Sequence, residues 1–107
     1  MSYDLILQKA TDFYNSAEYD DAETLCRQVL FAMPENDYVL NLLGLIAQQK
    51  DAHSQAVELF YKAIKLKPDN ISYHFNAGFS LLKSGKISEA QICFTKVLKL
   101  SPNLKDI

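Results

Sequence analysis

The chain has 107 residues, one domain's worth, and its 49% hydrophobic and 22% charged content is ordinary for a soluble globular protein. A formal net charge of −2 gives no global attraction to nucleic acid, and the two cysteines, Cys26 and Cys93, form no CxxC pair, which argues against a disulfide scaffold and a cysteine-based zinc site. The start lacks the basic and apolar regions of a signal peptide and no stretch is long enough to span a membrane, so a cytoplasmic setting is the default expectation.

The first third, Tyr3–Asn36, holds two stretches of helical period around a polar break at Ser16-Ala17-Glu18. The second, Asp37–Asn70, repeats the plan. Val39, Leu40, Leu43, Ile46 and Ala47 form one helix face, and Val57, Phe60, Tyr61 and Ile64 form another. The break between them is Lys50-Asp51-Ala52-His53. The third, Ile71–Leu104, breaks at Ser84-Gly85-Lys86. Prolines fall at Pro34, Pro68 and Pro102, at intervals of 34 residues. Ala22, Ala56 and Ala90 keep the same step, as do Ala10, Gly44 and Gly78. A fixed period of this size means a repeat array. No segment alternates with period two for long, so the expected class is all-α, a single domain over residues 1–107.

Local signals set the helix ends. Asn36 and Asn70 precede the first helices of their units, where a side-chain oxygen accepts from an orphan amide. Asp20 with Glu23, and Ser88 with Gln91, have capping-box spacing. Each proline stops the second helix of its unit. Gly44 and Gly78 lie mid-helix at a cost of about 1 kcal/mol each relative to alanine, which implies close helix approach. Ala56 and Ala90 are the expected small partners across that contact.

Numbering each unit from 1 to 34, with proline at place 32, gives Leu40, Leu43, Gly44, Ala47, Ala56, Phe60, Ala63 and Pro68 at places 4, 7, 8, 11, 20, 24, 27 and 32 of the second unit. The third has His74, Ala77, Gly78, Leu81, Ala90, Phe94, Val97 and Pro102 there, and the first has Ile6, Lys9, Ala10, Phe13, Ala22, Cys26, Val29 and Pro34. This pattern resembles the tetratricopeptide repeat family over essentially the whole chain. The resemblance implies three helix-turn-helix repeats stacked as a right-handed α-solenoid, without catalysis or cofactor.

It also implies a concave groove lined by places 2, 5, 9, 12 and 13 of the first helices. Here the groove set from those places is Leu7, Thr11 and Tyr14, then Tyr38, Asn41, Leu45 and Gln48, then Phe75, Phe79 and Leu82, with Asn76 added beside them from place 6. Asn41 and Asn76 offer bidentate amide contacts to a peptide backbone, and the aromatics suit apolar side chains. The carboxylate clamp of some family members needs cations and asparagines where this chain has Leu7, Thr11, Leu42, Ser72 and Asn76, so a chaperone-adaptor role is rejected.

The ends differ from the middle. Lys9 stands where the other repeats have Leu43 and Ala77, a polar outer face suited to an array that starts here. The last helix keeps Ile92, Phe94, Val97, Leu98 and Leu100, an apolar face expected either to continue into a longer array or to pair with another copy. Charge is uneven too. Residues 1–51 have nine acids and three bases, net −6, and residues 52–107 have four acids and eight bases, net +4. Lys62, Lys65, Lys96 and Lys99 form a stripe on the second helices. His53 and His74 lack metal-spaced neighbours, and no catalytic or metal-binding set emerges.

The expected function is a scaffold that holds a protein or peptide segment in the groove. One alternative is a substrate-presenting segment of a larger glycosyltransferase or methyltransferase, and another is a self-association module.

Overall fold

A computed structural model describes residues 3–101. Six helices follow in order: α1 (Asp4–Asn15), α2 (Tyr19–Ala32), α3 (Asp37–Gln49), α4 (His53–Leu66), α5 (Ile71–Lys83) and α6 (Ile87–Leu100). Each helix packs on the next, and the first helices also touch one another, α1 on α3 and α3 on α5. The result is a stack of three helical hairpins measuring 42 × 26 × 24 Å. Among the described residues there is no strand. α2 and α4 end two residues before Pro34 and Pro68, as the ring of proline requires. Pro102, and the part of the third repeat that follows it, lie outside the described residues.

Two N-caps form as expected. Asn36 Oδ1 accepts from the Val39 amide at 3.0 Å, and Asn70 Oδ1 accepts from the Tyr73 amide at 3.2 Å. The capping boxes do not form. α2 and α6 begin at Tyr19 and Ile87, so Asp20 and Ser88 already sit inside the first turn. The cause lies in the preceding turn. After α1, Ala17 takes φ 60°, its amide donates to the Tyr14 carbonyl at 3.0 Å, and the Glu18 amide donates to the Phe13 carbonyl at 2.8 Å. Asp51 and Gly85 repeat this geometry, with Ala52 donating to Ala47 and Lys86 to Leu81. These are Schellman turns. The residues that cap α2 and α6 are thus Glu18 and Lys86, whose own amides go to the previous helix, two residues ahead of the expected caps. The substitution Asn36→Ala should therefore cost about 1 kcal/mol, while Ser88→Ala should be close to neutral. Urea denaturation of the two variants measures the contrast.

The mid-helix glycines make room for rings, not for alanines. A Cβ on Gly44 would lie 2.7 Å from Cδ1 and 2.9 Å from Cζ of Phe60, and one on Gly78 would lie 2.8 Å from Phe94 Cε1. Ala56 and Ala90 are buried, as expected of small residues between helices, but the atoms facing the glycines belong to place 24. The first repeat solves the same contact with Ala10 against the smaller Cys26, both fully buried. Burial pushes the Cys26 thiol up to about 11, and the Cys93 thiol is raised by the same cause. Both are packing residues rather than nucleophiles.

Polar ties join the repeats. Lys50, the C-cap of α3, donates to Asp20 and, at 3.1 Å, to Glu23 on α2. The Asp20 carboxyl is held below its ordinary range by that hydrogen bond. Partial burial pushes Glu23 upward, but Lys50 and Arg27 outweigh it and the net shift is down. Tyr73 Oη donates to Asp37 at 2.6 Å, joining α5 to α3. His74, which replaces an apolar residue at place 4, donates from Nε2 to the Pro68 carbonyl at 2.7 Å. No described buried side-chain polar atom is left without a partner.

Candidate functional site

The first helices α1, α3 and α5 lie side by side, and their places 5, 9 and 12 point toward the next first helix. This orders the groove set into three ranks. Leu7, Thr11 and Tyr14 are half-buried against α3, where Thr11 Oγ1 and Tyr38 Oη share a hydrogen bond of 2.6 Å. Burial raises the Tyr14 hydroxyl above its ordinary range against the opposing pull of Gln49. Asn41, Leu45 and Gln48 are half-buried against α5. There Asn76 Nδ2 donates to Asn41 Oδ1 at 2.9 Å, and Gln48 Nε2 donates to the Asn76 carbonyl at 3.0 Å.

Phe75, Phe79 and Leu82 occupy the same places on α5 but are 51%, 39% and 49% exposed. The Phe75 ring meets Phe94 edge-on at 5.8 Å, and Lys83 Nζ stands 5.4 Å over Phe79. Tyr38 is also exposed, at 44%.

Two hollows punctuate this face. One of ≈ 250 Å³ is lined by Asp4, Leu7, Gln8, Thr11 and Tyr38. The other, of ≈ 230 Å³, is lined by Gln48, Gln49, Asp51, His53, Phe79 and Lys83. Of the expected groove residues, Leu7, Thr11, Tyr38, Gln48 and Phe79 line one hollow or the other, and Tyr14, Asn41, Leu45, Phe75, Asn76 and Leu82 line neither. Gln8, Asp51 and His53 were not expected there. They stand at places 6, 15 and 17, outside the groove places of the repeat pattern. A signal existed for Gln8, because Asn76 also occupies place 6.

The asparagine amides are less free than their sequence positions imply. Their mutual hydrogen bond uses one donor and one acceptor, leaving Asn41 Nδ2 and Asn76 Oδ1 for an incoming group. Of the acidic residues in the first repeat, Asp20 and Glu23 are held by Lys50 and Arg27. Lys62, Lys65 and Lys99 are exposed, and the stripe they form with Lys96 carries no ion pair among the described residues. Among those residues, no three His, Cys, Asp or Glu side chains are grouped to hold a metal ion. None of the described helices is long and apolar enough to cross a membrane.

Residues 15–97 match the family model described as "Anaphase-promoting complex, cyclosome, subunit 3", with repeats of the tetratricopeptide type. The chain belongs to this family. It is 28% identical over 78 residues to a peroxisomal targeting signal receptor of Candida albicans, covering 73% of this chain and 13% of that receptor. A Thermobaculum terrenum O-GlcNAc transferase mutant superposes on 94% of the chain, which spans 19% of that protein, with TM-score 0.89 and 30% identity. A MamA fragment from Desulfovibrio magneticus RS-1 superposes on 92% of the chain, which spans 55% of it, with TM-score 0.86 and 26% identity. The chain therefore spans only a small part of its curated relatives. The tetratricopeptide fold and these relatives support a protein-interaction role.

Proposed function

We propose that this array holds an extended polypeptide segment along the face formed by α1, α3 and α5. The observation that carries the reading is the row of unspent groups on that face. Asn41 Nδ2 and Asn76 Oδ1 offer one donor and one acceptor, which matches the acceptor and donor of a peptide unit. Tyr38 on one side and Phe79 on the other are exposed aromatics able to cover apolar side chains of the segment. The likeness to a targeting signal receptor is in keeping with a polypeptide ligand.

The test is selection of binders from a displayed peptide library, followed by calorimetric titration of the winning peptide. Asn41→Ala and Tyr38→Ala should each weaken binding about tenfold with unchanged helical circular dichroism. Wild-type affinity in both variants would remove the groove as the site.

A second reading is favoured by the likeness to the transferase. The array would present a protein substrate to a catalytic domain carried elsewhere in the same polypeptide. Full-length protein with Asn41→Ala would then lose turnover of protein substrates but keep that of short free acceptors.

A further inference from the structure

The two junctions between repeats are closed differently. In the first, Lys50 at place 14 crosses from the end of α3 to α2. Asp20 and Glu23, at places 18 and 21, accept from it, and Arg27 at place 25 pairs with Glu23. In the second junction the same four places hold Ser84, Ser54, Val57 and Tyr61. Ser84 does not make the crossing, because its Oγ turns back to the Ser80 carbonyl of its own helix at 3.0 Å. A hollow of ≈ 310 Å³ remains between α4 and the turn from α5 to α6. It lies inside the stack, between two described hairpins.

We propose that this hollow receives one basic side chain, arginine or lysine, from a partner polypeptide. The lining suits such a guest along its whole length. Leu81 is buried and Val57 half-buried, so the base is apolar, and the exposed Tyr61 ring stands beside it. An aliphatic stem rests on such a surface, and an aromatic ring attracts a cation. Glu58 of α4 and Glu89 of α6 supply the carboxylates for the charged end. The first junction shows the same solution built from the chain itself, with Lys50 held between two carboxylates.

Charge sets the number of cations. Lys86 also lines the hollow. Glu58, Glu89 and Lys86 are all exposed, and none is ion-paired among the described residues. Two carboxylates against one ammonium leave a single negative charge, which one side chain neutralises. A polyamine would bring several positive charges to that one.

The hollow shares no residue with the groove set and does not depend on what that face binds. Amide NMR of the isotope-labelled 107-residue chain tests it, with acetyl-Gly-Arg-Gly-amide and its lysine counterpart as probes. The Ser84, Gly85, Lys86 and Glu89 amides should shift to saturation, while acetyl-Gly-Gln-Gly-amide leaves them in place. Glu58→Gln and Glu89→Gln should each weaken the better basic peptide about threefold, and Lys86→Gln should tighten it about twofold. Ser84→Lys puts a lysine at the C-cap that Lys50 already fills in α3. The fold should persist, and the new side chain should shut the peptide out. Basic peptides that bind no better than the glutamine peptide overturn the proposal. So does wild-type affinity in both glutamate variants or in Ser84→Lys. Spermidine binding more tightly than either basic peptide overturns it too, and assigns the hollow to a small polyamine.

Discussion

Gly44→Ala destabilises the array, and in a Phe60→Cys background the same substitution stabilises it. In the wild type the new methyl lands within 2.9 Å of three ring carbons of Phe60, which is fully buried and has no room to swing aside. Overpacking of this kind costs about 1–3 kcal/mol, against a gain of about 1 kcal/mol in helix propensity. Phe60→Cys alone opens a cavity, with a loss approaching the roughly 3–5 kcal/mol of a Phe→Ala change. Once the ring is gone, the alanine meets no obstacle, partly refills the space and keeps its propensity advantage. The double variant reproduces the Ala10–Cys26 pair that the first repeat already uses. Thermal and urea denaturation of the four proteins gives the coupling directly. The same sign of effect in both backgrounds would show that the ring is not what the glycine accommodates.

The second large effect belongs to Tyr73→Phe. The hydroxyl donates to the Asp37 carboxylate at 2.6 Å in a part-buried setting, and Tyr73 as a whole is only 5% exposed. Hydrogen bonds to charged groups contribute about 1.5–3 kcal/mol, so a loss in that range is expected. The effect has a pH signature. Burial first, and then the neighbouring Asp37 carboxylate, raise the Tyr73 hydroxyl above its ordinary value. A group raised in the folded state stabilises fully below its unfolded value and loses that contribution as pH climbs above it. The wild type should therefore lose stability above about pH 10, and Tyr73→Phe should show a flatter alkaline limb. Denaturation midpoints across that range decide the matter. Parallel limbs would mean that another group controls alkaline unfolding.

The fold was legible because its determinants are short-range. Asn36 and Asn70 reach amides three residues ahead, and the 34-residue register aligns Ala10, Gly44 and Gly78 whatever the tertiary detail. What escaped depended on neighbours. Asp20 and Ser88 looked like caps, but the preceding turns start α2 and α6 at Tyr19 and Ile87, and where a turn ends is not written in the spacing of Asp20 with Glu23 or Ser88 with Gln91. The partner of Gly44 was placed at Ala56 rather than Phe60 because helix crossing decides which row of a hairpin faces inward. Contacts within the groove set, such as Thr11 with Tyr38 and Asn41 with Asn76, depend on how hairpins stack. The exposure of Phe75 and Phe79 reflects position in the stack, and a local pattern carries no record of that.

One feature of the core bears on how the molecule comes apart. The first cluster takes Val39, Leu42, Leu43 and Ile46 from α3, the second takes Ala47, and the third takes Leu40. α3 is thus the helix on which the packing of both ends converges. Either terminal hairpin can fray while its neighbours stay paired, since it loses only one junction. Loss of the α3–α4 hairpin severs both junctions at once. Partial openings of this molecule are therefore confined to its two extremities, and the middle turn of the stack opens only in global unfolding.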